Sequence, residues 1–194
     1  MRDRSLARFV LFVIAWLVLT LPIWWFAAPL LAWPVTLLAE AVTRSGFGDL
    51  VKSVEQHGDL ITFVTSLKPA QSLAATSAVV LDEVDVRRYS FGLPLLAALI
   101  LAARQKHMPR NLLLAFAVML PFECWGVVAE LLQDLASGLG PAIASQTGFS
   151  ALQREAIAFA YQFGSLILPT VAPIVFWVLT HRRFVEAMAG RGAT

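Results

Sequence analysis

Charge is scarce in this chain, cysteine is almost absent and histidine occurs three times; each shortage removes a class of function. The single cysteine, Cys124, cannot close an internal disulfide, and no Cys/His spacing suits a structural zinc site. No phosphate-binding glycine loop, metal motif or serine elbow is present, so neither a cofactor nor a metal is expected. Charged residues make up 14% of the chain, against about 25% in an ordinary soluble protein. A net charge of +2 is too small to imply a nucleic-acid partner, which leaves the distribution of charge as the informative quantity.

What the chain has instead is apolar surface, 58% of its residues, in long runs that read as membrane spans. The run from Phe9 to Ala28 follows Arg2, Arg4 and Arg8. It is about 20 residues long where a signal-peptide core is about 7 to 15, so it reads as a retained helix. That first span reaches about Leu31, with Pro22 and Pro29 as candidate kinks and Trp24, Trp25 and Trp33 at the headgroup layer of its far end. Pro34 then suits the first turn of a second, shorter helix to Val42, lying along the membrane surface or capping the bundle.

From Gly46 to Ser90 the composition and the period both change. Leu50–His57 and Leu60–Leu67 read as strands joined by a tight Gly58-Asp59 turn, with Ile61, Phe63, Thr65 and Leu67 on one face. A third strand fits Ala78–Val86, and Lys68–Ala75 is the turn before it. Three strands have too little core to stand alone, so the sheet should rest on the membrane helices or on a partner. Asp82, Glu83 and Asp85 invite a calcium reading, but alternate strand residues face opposite ways; a solvated strand edge is the better expectation.

Phe91–Ala103 is the shortest span, 13 residues or about 20 Å of helix. Pro94 sits in its first turn, and Arg104 and Lys106 extend it by snorkelling. Leu112–Leu132 and Ala156–Leu179 are the third and fourth spans, Pro169 and Pro173 marking kinks in the last. Between them Ser150 and Gln153 form a candidate capping box. The N-terminus, the Arg104–Arg110 loop and the C-terminus hold nine basic residues against two acidic, a net +7; the other two loops hold six basic against nine acidic, a net −3. This is the positive-inside pattern for four spans with both termini cytoplasmic and the strands facing outward.

The expected fold is therefore an all-α polytopic membrane protein, four transmembrane helices with a small outward three-stranded insertion between the first and second. Its divisions are 1–45, the first span and interfacial helix; 46–90, the strand domain; and 91–194, three spans ending in a cytoplasmic C-terminus.

The stretch Asn111–Asp134 carries the chemistry. Glu123 and Glu130 are two helical turns apart and project from roughly one face of the third span, with Gln133 near that stripe. Tyr161, Gln162 and Ser165 fall at about the depth of Glu130 on the fourth span. These residues are the candidates for polar contact within the membrane. One reading is hydrogen bonding between helices; the other is a proton or cation relay, as in an ion-coupled transporter subunit. A relay usually also has a basic or histidine partner at depth, and His57, His107 and His181 all fall outside the hydrocarbon. Cys124 as the nucleophile of a membrane thiol enzyme needs a nearby His or Arg to ionise it; none is expected there, and a small buried hydrophobe is the plainer role.

Four blocks carry a resemblance: YSFGLPLLAALIL from Tyr89 to Leu101, LPFECWG from Leu120 to Gly126, GFSALQREAIAFAYQFG from Gly148 to Gly164, and HRRF from His181 to Phe184. Their order, after an N-terminal anchor and a small outward strand region, resembles the exosortase H-associated membrane proteins. The resemblance implies a non-catalytic accessory of the inner membrane of Gram-negative bacteria, with its strand domain in the periplasm. It would be linked to an exosortase, the membrane transpeptidase or protease that processes proteins bearing a C-terminal sorting signal. It carries over no catalytic residues; the expected partners are the lipid bilayer and that larger membrane protein.

Overall fold

The computed structural model describes residues 2–68, 81–104 and 107–190. Its first helix, α1 (Arg2–Phe47), is one uninterrupted rod of 46 residues, about 69 Å long. This corrects the expected break before Pro34 and with it the separate surface helix. Pro22, Pro29 and Pro34 all lie inside α1. Each removes a backbone donor, a cost of about 3 kcal/mol in a helix interior, so the rod must be held from outside. Ala28, Ala32, Val35, Ala39 and Thr43, at helical spacing, run in one buried stripe straight through the prolines. Packing of that stripe keeps the chain helical where local propensity would stop it.

β1 (Val51–His57), β2 (Leu60–Thr65) and β3 (Leu81–Asp85) form an antiparallel sheet in the order β1-β2-β3. His57 pairs with Leu60 around Gly58 and Asp59, and Gly58 takes φ 67°, a conformation that favours glycine. Ile61, Phe63, Thr65 and Leu67 are all buried, as their alternation predicts. They pack with Val84 against α1 and against α4 (Met108–Gln133), through Val127, Val128 and Leu131. The sheet thus rests on the long helices. Residues 78–80, expected at the start of the third strand, and the expected turn beyond Lys68 up to Ala75 lie outside the described residues.

α2 (Arg87–Ser90) and α3 (Gly92–Ala102) follow β3. α3 spans about 16 Å and is walled in by α1, α4 and α7 (Leu168–Thr180). Arg104 folds over the ring of Phe12 at 4.2 Å; Lys106 lies outside the described residues. α4 runs on through a π-turn at Asp134–Gly138, and α5 (Pro141–Ala144) is a single turn. Ser150 and Gln153 do form a capping box at the start of α6 (Ala151–Gln162), which continues through a π-turn at Phe163–Ile167 into α7. That irregularity lies just before Pro169, which lacks the donor a regular helix would use there.

Among the described residues three helices are long and apolar enough to cross a membrane: Leu6–Phe47, Met108–Gly138 and Ala151–Thr180. At the far end from the sheet, Phe9 stacks on Trp177 at 5.6 Å and meets Phe184 of α8 (Arg182–Ala189) at 5.3 Å. His181 also stacks on Trp177, at 5.5 Å, and burial holds its imidazole below the usual histidine range. The HRRF block is therefore a packing knot joining both ends of the chain.

Candidate functional site

Three helices approach one another unusually closely around Tyr89, and glycine permits it. A β-carbon on Gly126 would overlap the Tyr89 ring, one on Gly92 would overlap the Pro169 carbonyl oxygen, and one on Gly164 would come within 3.1 Å of the Gly126 Cα. These contacts draw α2 and the start of α3 against α4, the π-turn at Phe163–Ile167 and the start of α7, and fix what Tyr89 reaches.

Tyr89 donates its hydroxyl proton to Glu130 Oε2 at 2.7 Å, and Arg88 Nη1 pairs with Glu130 Oε1. Tyr89 and Glu130 are buried, while the Arg88 side chain is 53% exposed. The guanidinium thus joins a buried acid to the surroundings. Glu130 drives the Arg88 guanidinium further up, and burial followed by the Glu130 hydrogen bond raises the Tyr89 phenol well above its ordinary value. The neighbouring Arg87 serves the sheet. It pairs with Asp59 in the β1–β2 turn and with Asp85, and lies over the Trp25 ring at 4.3 Å. Trp24 donates its indole N–H to Ser90 Oγ at 3.1 Å. One short stretch, Arg87 to Ser90, therefore ties the sheet, α1 and α4 together.

A second acid faces the same place. Asp82 is buried, which corrects its expected place on a solvated edge: on β3 it is Asp82 and Val84 that turn inward, while Leu81 and Glu83 are exposed. Its Oδ2 has no hydrogen-bond partner among the described residues, and its carboxyl is pushed up to about 7 by burial first and then by Asp134, Glu130 and Glu83. Among the described residues no group of three His, Cys, Asp or Glu side chains could hold a metal ion.

Glu123 lies two helical turns below Glu130, 3% exposed, with no partner for Oε2 among the described residues. It lines a crevice of about 10 Å³ with Tyr89, Gly92, Met119, Pro169 and Pro173. Because Pro173 has no N–H, the Pro169 carbonyl on that crevice lacks its regular helical donor. The other candidates fall apart from Glu130. Gln133 donates to Ser137 at 2.7 Å, and the Tyr161 carbonyl accepts from Ser165 at 2.8 Å; Tyr161 is half-buried within the electrostatic reach of Arg88. Gln162 is exposed. Cys124 is buried among apolar side chains of the α1–α4 core. His57 lies in the sheet near Thr62, and His107 precedes α4 in a left-handed conformation.

Arg88 and Tyr89 are the partners that sequence reasoning missed. The available signal was the placement of an arginine pair just before the short apolar run, four residues before Gly92, in a chain whose next long apolar helix carries two acids.

The family model described as exosortase H-associated membrane protein matches residues 3–184 of the chain. No curated protein and no solved structure matches it.

Proposed function

Because the chain belongs to the exosortase H-associated membrane proteins, we propose that it is a non-catalytic subunit that binds and positions exosortase H in the inner membrane. The observation that carries this reading is on α1. Counted from Arg8, the roughly 30 Å hydrocarbon layer is crossed by about Ala28. The same count places Glu130 on that boundary when started from Arg110, and Ala160 when started from Thr180. Exposed apolar side chains nevertheless continue up α1 past it: Leu30 at 75%, Trp33 at 60% and Leu37 at 47%. With Ile23 and Phe26 they recur at alternating spacings of three and four, the seam on which a second helix packs. Lipid does not cover the upper part of this seam; a long helix of a membrane partner does.

The proposed topology has four crossings, α3 completing the short one inside the bundle, with both termini cytoplasmic and the sheet in the periplasm. The divisions 1–45, 46–90 and 91–194 then stand for anchor, outward sheet and three-helix remainder. Glu123 and Glu130 act as structural polar contacts within this assembly, and Gln133, Tyr161 and Gln162 form the polar end facing the partner.

The test is co-purification in mild detergent with exosortase H as bait. Trp33→Glu, on the exposed seam, should abolish recovery of the complex while leaving the chain folded and inserted; undiminished recovery overturns the reading.

A further inference from the structure

A groove of about 580 Å³ lies between α1, α4 and α6, on a different side of α1 from the helix seam. Leu38 and Val42 form one wall, Pro121, Trp125 and Ala129 the floor, and Ile157 the other wall. Its floor climbs α4 from Pro121 to Leu132, about 17 Å, close to the thickness of one leaflet of a roughly 30 Å hydrocarbon layer. By the count from Arg110 the floor begins within the outer leaflet and ends just above it, whereas Leu38 and Val42, counted from Arg8, stand about 15 and 21 Å above the same boundary, so the groove rises from the leaflet past the lipid surface. The groove opens towards the bilayer at half-exposed Trp125, and exposed Ala156, about 6 Å above the boundary by the count from Thr180, forms its upper lip.

We propose that this groove holds an acyl chain of an anionic lipid drawn from the outer leaflet, with Arg154 meeting the phosphate of its headgroup. Chemistry and size choose the occupant. A helix about 10 Å across with a 5.4 Å pitch takes roughly 400 Å³ per turn, so the groove holds little more than one turn. An extended peptide brings a donor and an acceptor with every residue, whereas Gln153 is the one amide side chain among the lining residues and its oxygen already accepts from Ser150 N. An acyl chain asks for no hydrogen bonds. At the rim, Arg154 donates from Nε and Nη2 to the carbonyl of Phe149, itself a lining residue, at 3.1 and 3.0 Å. These bonds fix the guanidinium beside the opening. Among the described residues it has no carboxylate partner, so its charge is free for an anion.

The purified chain alone provides the test, independently of any protein partner. Native mass spectrometry after incubation with phosphatidylglycerol or phosphatidylcholine should show one retained lipid with phosphatidylglycerol preferred. Ala156→Trp, which fills the groove from its exposed lip, should lower retention about tenfold. Arg154→Gln should leave retention but reduce the headgroup preference about fivefold. Equal retention by wild type and a helical, monodisperse Ala156→Trp overturns the proposal. As a second measurement, p-benzoylphenylalanine in place of Gln153 should yield a lipid adduct in cells; an adduct to another protein instead assigns the groove to that protein and overturns it.

Discussion

The ring of Tyr89 lies against the bare α-carbon of Gly126, closer than any other residue at position 126 would allow. That contact delivers the phenol to Glu130 and sets the distance between α2 and α4. Gly126→Ala should therefore displace Tyr89 and break its hydrogen bond, lowering stability by about 1–3 kcal/mol. Gly46→Ala is the control. Nothing lies within 4 Å of where its β-carbon would go, and alanine in a helix should be neutral or raise stability by up to about 1 kcal/mol. Thermal unfolding in detergent compares the two.

Arg88 and Tyr89 share one acid, so their contributions should be coupled. Removing Arg88 as Arg88→Gln leaves a buried acid short of one partner and should cost about 1–3 kcal/mol, discounted because half of the arginine is exposed. Glu130→Gln keeps the shape and an acceptor for Tyr89. The double variant should cost less than the two single losses added together; strict additivity would show that Arg88 and Glu130 do not act as a unit.

Asp82 predicts a pH dependence with a definite sign. Its carboxyl titrates at about 7 in the folded chain against 3.8 as an unperturbed acid, so the folded state binds more protons between those values. Stability from this group is greatest below about pH 4, falls as pH rises and reaches its lowest level above about pH 7. Asp82→Asn should remove the penalty. Its melting temperature should exceed wild type at pH 8, by an effect of at most about 4 kcal/mol, and the gain should shrink towards pH 5. A gain independent of pH would rule out titration of Asp82 as its source.

The continuity of α1 is measurable directly. In a Cys124→Ser background, spin labels on Trp25→Cys and Ser45→Cys should report backbone positions about 30 Å apart, the rise of twenty helical residues. A helix broken at Pro34 and folded onto the membrane would bring them much closer. Pro34→Ala should leave the distance unchanged.

The sheet was readable because its alternation and its Gly58-Asp59 turn are local signals, and three long apolar helices were readable from apolar length. α1 was misread for a physical reason. Proline is a strong local punctuator, whereas the stripe Ala32, Val35, Ala39 and Thr43 that overrides it acts only once the sheet and α4 are in place. The same applies to Asp82: alternation put it opposite Glu83 and Asp85, but which face is buried depends on what packs on β3. Glu123 and Glu130 stood out as acids in an apolar helix. That Glu130 would find Arg88 and Tyr89, 42 and 41 residues away, while Glu123 would find no partner for its second oxygen, depends on a helix approach set by three glycines.

The unbroken α1 also acts as a ruler. In the proposed topology it rises about 28 Å from the lipid boundary near Ala28 to Phe47, stiffened over most of that length by the buried stripe. Under that topology the sheet is held at a constant height and azimuth above the membrane, so whatever α1 pairs with is presented to the sheet at one set elevation. Lengthening the rod by a single residue would turn everything above the insertion by about 100° as well as lifting it by 1.5 Å, and in this architecture the rotation would do more damage than the lift.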